Sequence, residues 1–199
     1  MYGRNRTRTD DFERKSQDNL PTDKHMNVVI DLQGFYAHND EFTPKEVAIV
    51  GIESNTLGHW LVKPYLPSDQ LRPSIAGSNR WVTKYHHGIN WDDGETLPSK
   101  IFEIIETYTK RARCIYTKGA QKTNYLKQIL NREIINLEEE ESCPKVNTSN
   151  IKIKCAYHGL LPEHYRCSLS NALQLRHWII SSRQERYPFE YLRSKLQAP

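Results

Sequence analysis

Val28-Val29-Ile30-Asp31-Leu32, followed by Gly34, is a β-branched run that ends in an acid. β-Branched side chains are stiff at the first side-chain torsion and suit extended backbone, so this run reads as the first strand of an ordered region beginning at Asn27. Downstream, Glu46-Val47-Ala48-Ile49-Val50-Gly51-Ile52 reads as a second strand, after the breaker Thr43-Pro44. Trp60-Leu61-Val62-Lys63-Pro64-Tyr65 reads as a third, with Asn55-Thr56-Leu57-Gly58 as the turn before it. Three antiparallel strands in a meander therefore open the domain.

Further along, the periodicity changes. Residues 66–97 are rich in Pro, Ser and Gly and read as a mostly irregular excursion, marked by Trp81, Tyr85, His86-His87 and Trp91. Ser99–Arg111 is predicted to be a helix with Ile101, Phe102, Ile104, Ile105 and Tyr108 on one face. Cys114-Ile115-Tyr116 follows as a short strand, Ala120–Leu130 as a second helix and Ile134–Leu137 as a last strand. Glu138–Glu141 reads as a solvated acidic loop, and Ser168–Ile180 as the final helix, with Leu169, Ala172, Leu173 and Ile179 at helical spacing. The order β-β-β, then α-β-α-β, then α predicts an α/β domain over residues 27–182: a mixed five-stranded sheet, a three-strand antiparallel meander plus parallel strands, flanked by helices.

Outside that span, residues 1–26 carry six Lys/Arg against five Asp/Glu and are expected to be a disordered leader. Residues 183–199 read as a charged tail holding Tyr187, Phe189 and Tyr191. The 199 residues suffice for one domain. The longest apolar runs are far too short to span a bilayer, and the N-terminus lacks the apolar core of a secretory signal. A cytoplasmic or nuclear protein that is neither secreted nor membrane-bound is expected. The four cysteines then read as thiols or metal ligands rather than disulfides. A net charge of +4 permits nucleic-acid binding without requiring it.

The element order, with Asp31 at the end of the first strand, resembles the DEDD-type 3′–5′ exonucleases, which have an RNase H-like fold. The resemblance covers residues 27–181. Where that family has Asp-x-Glu, this chain has Asp31-Leu32-Gln33. Lys45-Glu46-Val47-Ala48-Ile49-Val50 resembles the family's next strand, and His87-Gly88-Ile89 its following loop. The family's second Asp falls on Lys118-Gly119-Ala120-Gln121-Lys122-Thr123, which has no acid. Its closing His-x-Ala-Leu-x-Asp-Ala falls on Arg166-Cys167-Ser168-Leu169-Ser170-Asn171-Ala172, with Arg166 in place of His and Asn171 in place of Asp. Two-metal phosphodiester cleavage needs several carboxylates to hold two Mg²⁺ ions. One acid of four survives, so no residue is assigned as catalytic.

The sharpest local signal is Cys155-Ala156-Tyr157-His158, eight residues, then Cys167. Thiolate and imidazole are the ligands Zn²⁺ prefers, and Cys-x-x-His lets one tight turn supply two of them. Cys143 would complete a Cys₃His set. The pattern also resembles the Maelstrom domain, an RNase H-like germline RNA-pathway family without the exonuclease acids and with a Glu-Cys-His-Cys zinc motif. Thr43-Pro44-Lys45-Glu46-Val47 matches the context of that motif's Glu, so the resemblance implies Glu46 as the fourth ligand beside Cys155, His158 and Cys167. It further implies a closed, structural zinc site and a catalytically degenerate domain in a small-RNA (piRNA-like), transposon-silencing pathway, with germline granules among its locations. Single-stranded RNA or small-RNA pathway proteins are the partners it implies.

From Thr107 to Arg132 the chain carries seven Lys and Arg and no acid. Arg111, Arg113, Lys118, Lys122 and Lys127 are the candidate contacts to a nucleic-acid backbone; the alternative is a solvated helix face. The turn Lys118-Gly119-Ala120 also offers backbone N–H groups to phosphate. Trp81, Tyr85, Trp91 and Tyr116 can stack unpaired bases or fill the core. His86 and His87, adjacent on the chain, are poor joint ligands. Two rival functions stay open: a metal-independent ribonuclease using Asp31, His87 and Lys118, and a protein-interaction scaffold that ignores nucleic acid.

Overall fold

The computed structural model describes residues 26–37, 41–146 and 153–186. The expected leader lies outside them except for Met26, and the expected tail lies outside them beyond residue 186.

Five strands form one sheet in the order β3-β2-β1-β4-β5. β1 (Met26–Tyr36) is central, pairing antiparallel with β2 (Phe42–Gly51) and parallel with β4 (Ala112–Thr117). β3 (Leu57–Leu61) pairs antiparallel with β2, and the short β5 (Ile135–Asn136) pairs parallel with β4. The protein is thus α/β with a mixed sheet. β1 and β2 start earlier than their apolar runs suggest. Pro44, which has no N–H to give, sits inside β2 rather than before it. It lies opposite Gly34, where the register slips after Gln33, so the ladder loses little there. Gly34 is required at that bulge, because a Cβ would run into the Thr43 carbonyl. β3 ends at Leu61, short of the predicted Tyr65.

The sheet has helices on both faces. Val28, Ile30, Leu32, Val47 and Ile49 pack on one side with Ile101 and Ile105 of α2 (Pro98–Thr109) and Leu126 of α3 (Ala120–Leu130). Val29, Ala48 and Val50 pack on the other with Ala172, Leu175 and Ile179 of α5 (Ser168–Arg186). Side chains alternate across a strand, so β1 is apolar on both faces because both are covered. α5 continues past its predicted end at Ile180 to Arg186.

One helix lies in the stretch read as irregular: α1 (Pro73–Val82). Ser74, Gly77, Ser78 and Asn79 are weak helix formers and hide it. Pro73 at its first position presets the backbone, and Ile75, Ala76 and Val82 pack on a small core of Phe35, Leu71 and Trp91. A π-helical turn, Thr83–His87, continues it and ends at Gly88, whose φ of 70° suits glycine. Among the acids of the Glu138–Glu141 run, Glu138 and Glu139 belong to a 3₁₀ turn and all four are exposed.

Arg132 closes the end of α2 instead of facing solvent. Its Nη1 donates to the Thr109 carbonyl (2.6 Å) and its Nη2 to the Ala112 carbonyl (2.5 Å). Arg132→Ala strands both acceptors, so urea denaturation is expected to show a loss of about 1–3 kcal/mol. No loss would mean that water replaces the guanidinium without cost. No described helix is long and apolar enough to cross a membrane.

Candidate metal centre

Glu46, Cys155, His158 and Cys167 converge beneath the sheet, all buried, with one ligand atom from each lying within 4.8 Å of the others. Glu46 comes from β2, on the α5 face. Cys155 caps the one-turn helix α4 (Ala156–Gly159), its sulfur accepting from the His158 N–H at 3.3 Å. His158 is on that turn, and Cys167 immediately precedes α5. The Cys-x-x-His spacing works because a single helical turn aims positions 155 and 158 at one point.

The donor set tests the fit for a metal. Bonds of about 2.0 Å to N or O and 2.3 Å to S give a tetrahedron with edges of roughly 3.3–3.8 Å. Here Cys155 Sγ lies 3.1 Å from His158 Nδ1 and 3.5 Å from Glu46 Oε1. Cys167 Sγ lies 3.5 Å from Glu46 Oε1, and His158 Nδ1 lies 3.2 Å from the same oxygen. These are near tetrahedral edges, and the buried cluster can hold a metal ion.

Outer partners orient the donors. His158 Nε2 sits 2.7 Å from the His87 carbonyl, which leaves Nδ1 to face the cluster. The Ser168 N–H donates to Glu46 Oε2 (2.7 Å), and His59 Nε2 lies 2.8 Å from Oε1. Burial alone would raise the Glu46 pKa. Hydrogen bonds from His158, His59 and Ser168 overcome it and hold the carboxyl well below the usual range. Burial likewise disfavours charge on His158, yet Cys167 and Glu46 raise its pKa to about 10. Cys155 leans toward thiolate through its hydrogen bond with Cys167, and the same bond keeps Cys167 protonated. A cation entering here displaces those protons. Cys143, the alternative fourth ligand, lies outside the cluster, half-buried, with its sulfur 3.9 Å from the Pro144 carbonyl.

Lys45, next to Glu46, is fully buried. Its ammonium donates to the carbonyls of Val62 (2.6 Å), Trp91 (2.7 Å) and Asp93 (2.5 Å), and burial lowers its pKa to about 8. It fastens the 91–93 loop to β2. Tyr157 fastens the same loop to α4 by donating to Asp93 Oδ2 at 2.7 Å. Neither residue, nor His59, stands out in the sequence. His59 enters only through the β2–β3 register, which sets it opposite Ala48, one step diagonally from Glu46.

The five candidate nucleic-acid contacts are not brought together. Arg111 and Arg113 are exposed at the start of β4, whereas Lys118 follows its end, roughly 17 Å or more away at about 3.3 Å per residue. Lys122 is turned inward: its ammonium lies 2.5 Å from Asp31 Oδ1. Lys118 reaches the Cys143 carbonyl at 3.4 Å. Lys127 is exposed on α3, about 140° around the helix from Lys122. The Gly119 N–H, a candidate phosphate donor, is taken by Asn136 Oδ1 at 2.9 Å. The residues of the alternative ribonuclease are not joined either. The His87 ring is buried edge-on against Phe35, burial lowers its pKa to about 4, and no described hydrogen bond links it to Asp31 or Lys118. Of the four aromatic candidates, Trp91 is buried and Tyr116 half-buried; Trp81 and Tyr85 are exposed.

No protein-family model matches the chain, and no curated protein matches it.

Proposed function

We propose that this chain is a non-cutting, exonuclease-like domain of the Maelstrom kind. One structural zinc ion holds it closed, and it binds single-stranded RNA in a small-RNA silencing pathway. The sheet order β3-β2-β1-β4-β5, with β2 antiparallel, supports the RNase H-like reading. The Glu-Cys-His-Cys cluster supports the Maelstrom reading, and the pathway rests on that resemblance. Glu46, Cys155, His158 and Cys167 would hold the zinc. Zinc supplies cross-linking charge there, and four protein ligands complete its usual structural coordination.

The observation that carries the non-cutting reading is the surroundings of Asp31. Its carboxylate, 1% exposed, meets the Lys122 ammonium on Oδ1. Oδ2 takes the Asn171 amide at 3.0 Å and the Gln33 amide at 3.4 Å. Burial raises the Asp31 pKa and the Lys122 charge opposes the rise. Where an exonuclease gathers carboxylates around two cations, this chain gathers one ammonium and two amides around one carboxylate. A fixed cation next to Asp31 repels a divalent one.

The test is incubation of purified protein with end-labelled single-stranded RNA in Mg²⁺ or Mn²⁺, in parallel with filter binding across a salt series. We expect salt-sensitive binding and RNA of unchanged length. Stepwise 3′ trimming would overturn the non-cutting reading, and no binding at any salt would overturn the RNA reading.

A further inference from the structure

The cations read from the sequence are dispersed, but a second surface on α1 has what a single strand needs. Asn79 is 4% exposed, and neither its Nδ2 nor its Oδ1 has a hydrogen-bond partner among the described residues. An unpaired buried amide costs about 1–3 kcal/mol per polar group, so it calls for an explanation. Asn79 lines an open cleft of about 500 Å³ between α1 and the loops on either side of it, together with Thr83, Trp91, Arg80, Asp69 and Asp92. That volume falls in the range of small-molecule sites.

Helical spacing puts Asn79 and Thr83 on the cleft side, Arg80 and Lys84 about 100° round the helix, and Trp81 and Tyr85 about 160° from the Asn79 row, on the outer face of α1. Trp81 and Tyr85 are 55% and 54% exposed, with ring centroids 5.6 Å apart. The Lys84 ammonium lies 5.1 Å from the Tyr85 ring centroid. Large exposed rings beside cations form the usual stacking platform for unpaired bases.

We infer that this cleft seats one unpaired base of a single-stranded RNA, its hydrogen-bonding edge paired with the Asn79 amide once that side chain turns into the cleft, while Trp81 and Tyr85, round the helix, stack a base further along the strand. An amide offers a donor and an acceptor side by side, the complement of a nucleobase edge. Asp69 and Asp92 repel phosphate from the cleft but can accept from ribose hydroxyls. The phosphates then run along Arg80 and Lys84. The inference rests on the RNA-binding reading and names the surface and the ligand group.

Fluorescence anisotropy with labelled eight-nucleotide RNAs, base-bearing or with one central abasic position, tests it. Asn79→Leu is expected to weaken the base-bearing RNA about tenfold or more, the loss of one good base contact. It should leave the abasic RNA unchanged and the melting temperature equal or higher, since no hydrogen bond is lost on substitution. Trp81→Ala, at an exposed position where folding is not at stake, should also weaken binding about tenfold. Lys100→Ala on α2, a charge-loss control, should bind like the wild type. Wild-type affinity in both Asn79→Leu and Trp81→Ala, or equal affinity for both RNAs, would sink the cleft inference and leave RNA binding standing. A wild type that binds neither RNA sinks both and makes a peptide the better occupant.

Discussion

Cys155→Ser is expected to cost the protein its metal and its fold. Structural zinc sites contribute roughly 10–16 kcal/mol of apparent binding energy, comparable to or above the total stability of an ordinary domain at about 5–15 kcal/mol. Cys155 offers its sulfur to the buried cluster and also caps α4, while the sulfur of Cys167 accepts the N–H of Cys155 at 3.4 Å. Removing one sulfur therefore loosens the loop, the turn and the start of α5 together. Wild-type protein should carry about one zinc per chain by elemental analysis, and Cys155→Ser close to none. Circular dichroism should show the wild type melting at lower temperature after chelation and the variant unfolded at 25 °C. A folded, metal-free variant melting with the wild type would refute the clamp.

Lys45→Met is expected to produce the next largest effect. The methionine keeps the buried stem but strands the carbonyls of Val62, Trp91 and Asp93. Leaving an acceptor buried and unpaired costs about 1–3 kcal/mol, so a loss of roughly 3–6 kcal/mol follows when the three are summed and partial relaxation is allowed. Urea denaturation reads it directly. The 91–93 loop also meets Tyr157 of α4, so metal retention should weaken as well. A variant within about 1 kcal/mol of wild type would show that the loop repacks around the thioether.

What was legible in the sequence was what is local. Ala120–Leu130 is a helix with the predicted bounds, because its apolar spacing is regular and nothing interrupts it. The Cys155/His158/Cys167 part of the cluster shows in the spacing of a single turn. Glu46 does not: it stands 109 residues from Cys155, and only the resemblance to a known motif singled it out. Lys122 shows the opposite failure. Its place at a helix start suggested a partner outside the protein, but its charge is balanced by Asp31, 91 residues away. α1 was hidden by its own composition, since burial against Phe35 and Trp91 overrides the weak helix propensity of Ser74, Gly77 and Asn79.

The span between Glu46 and Cys167 also sets a schedule. A ribosome adding about 5–20 residues per second needs roughly 6 to 24 s to add the 121 residues that separate them. Throughout that interval Glu46 has been made but Cys167 has not, so the set of four donors is incomplete. An ion held by all four donors is captured only after Cys167 has been added. Without such an ion, α5 is expected to sit less firmly on Val29, Ala48 and Val50, leaving that apolar face of the sheet more often uncovered.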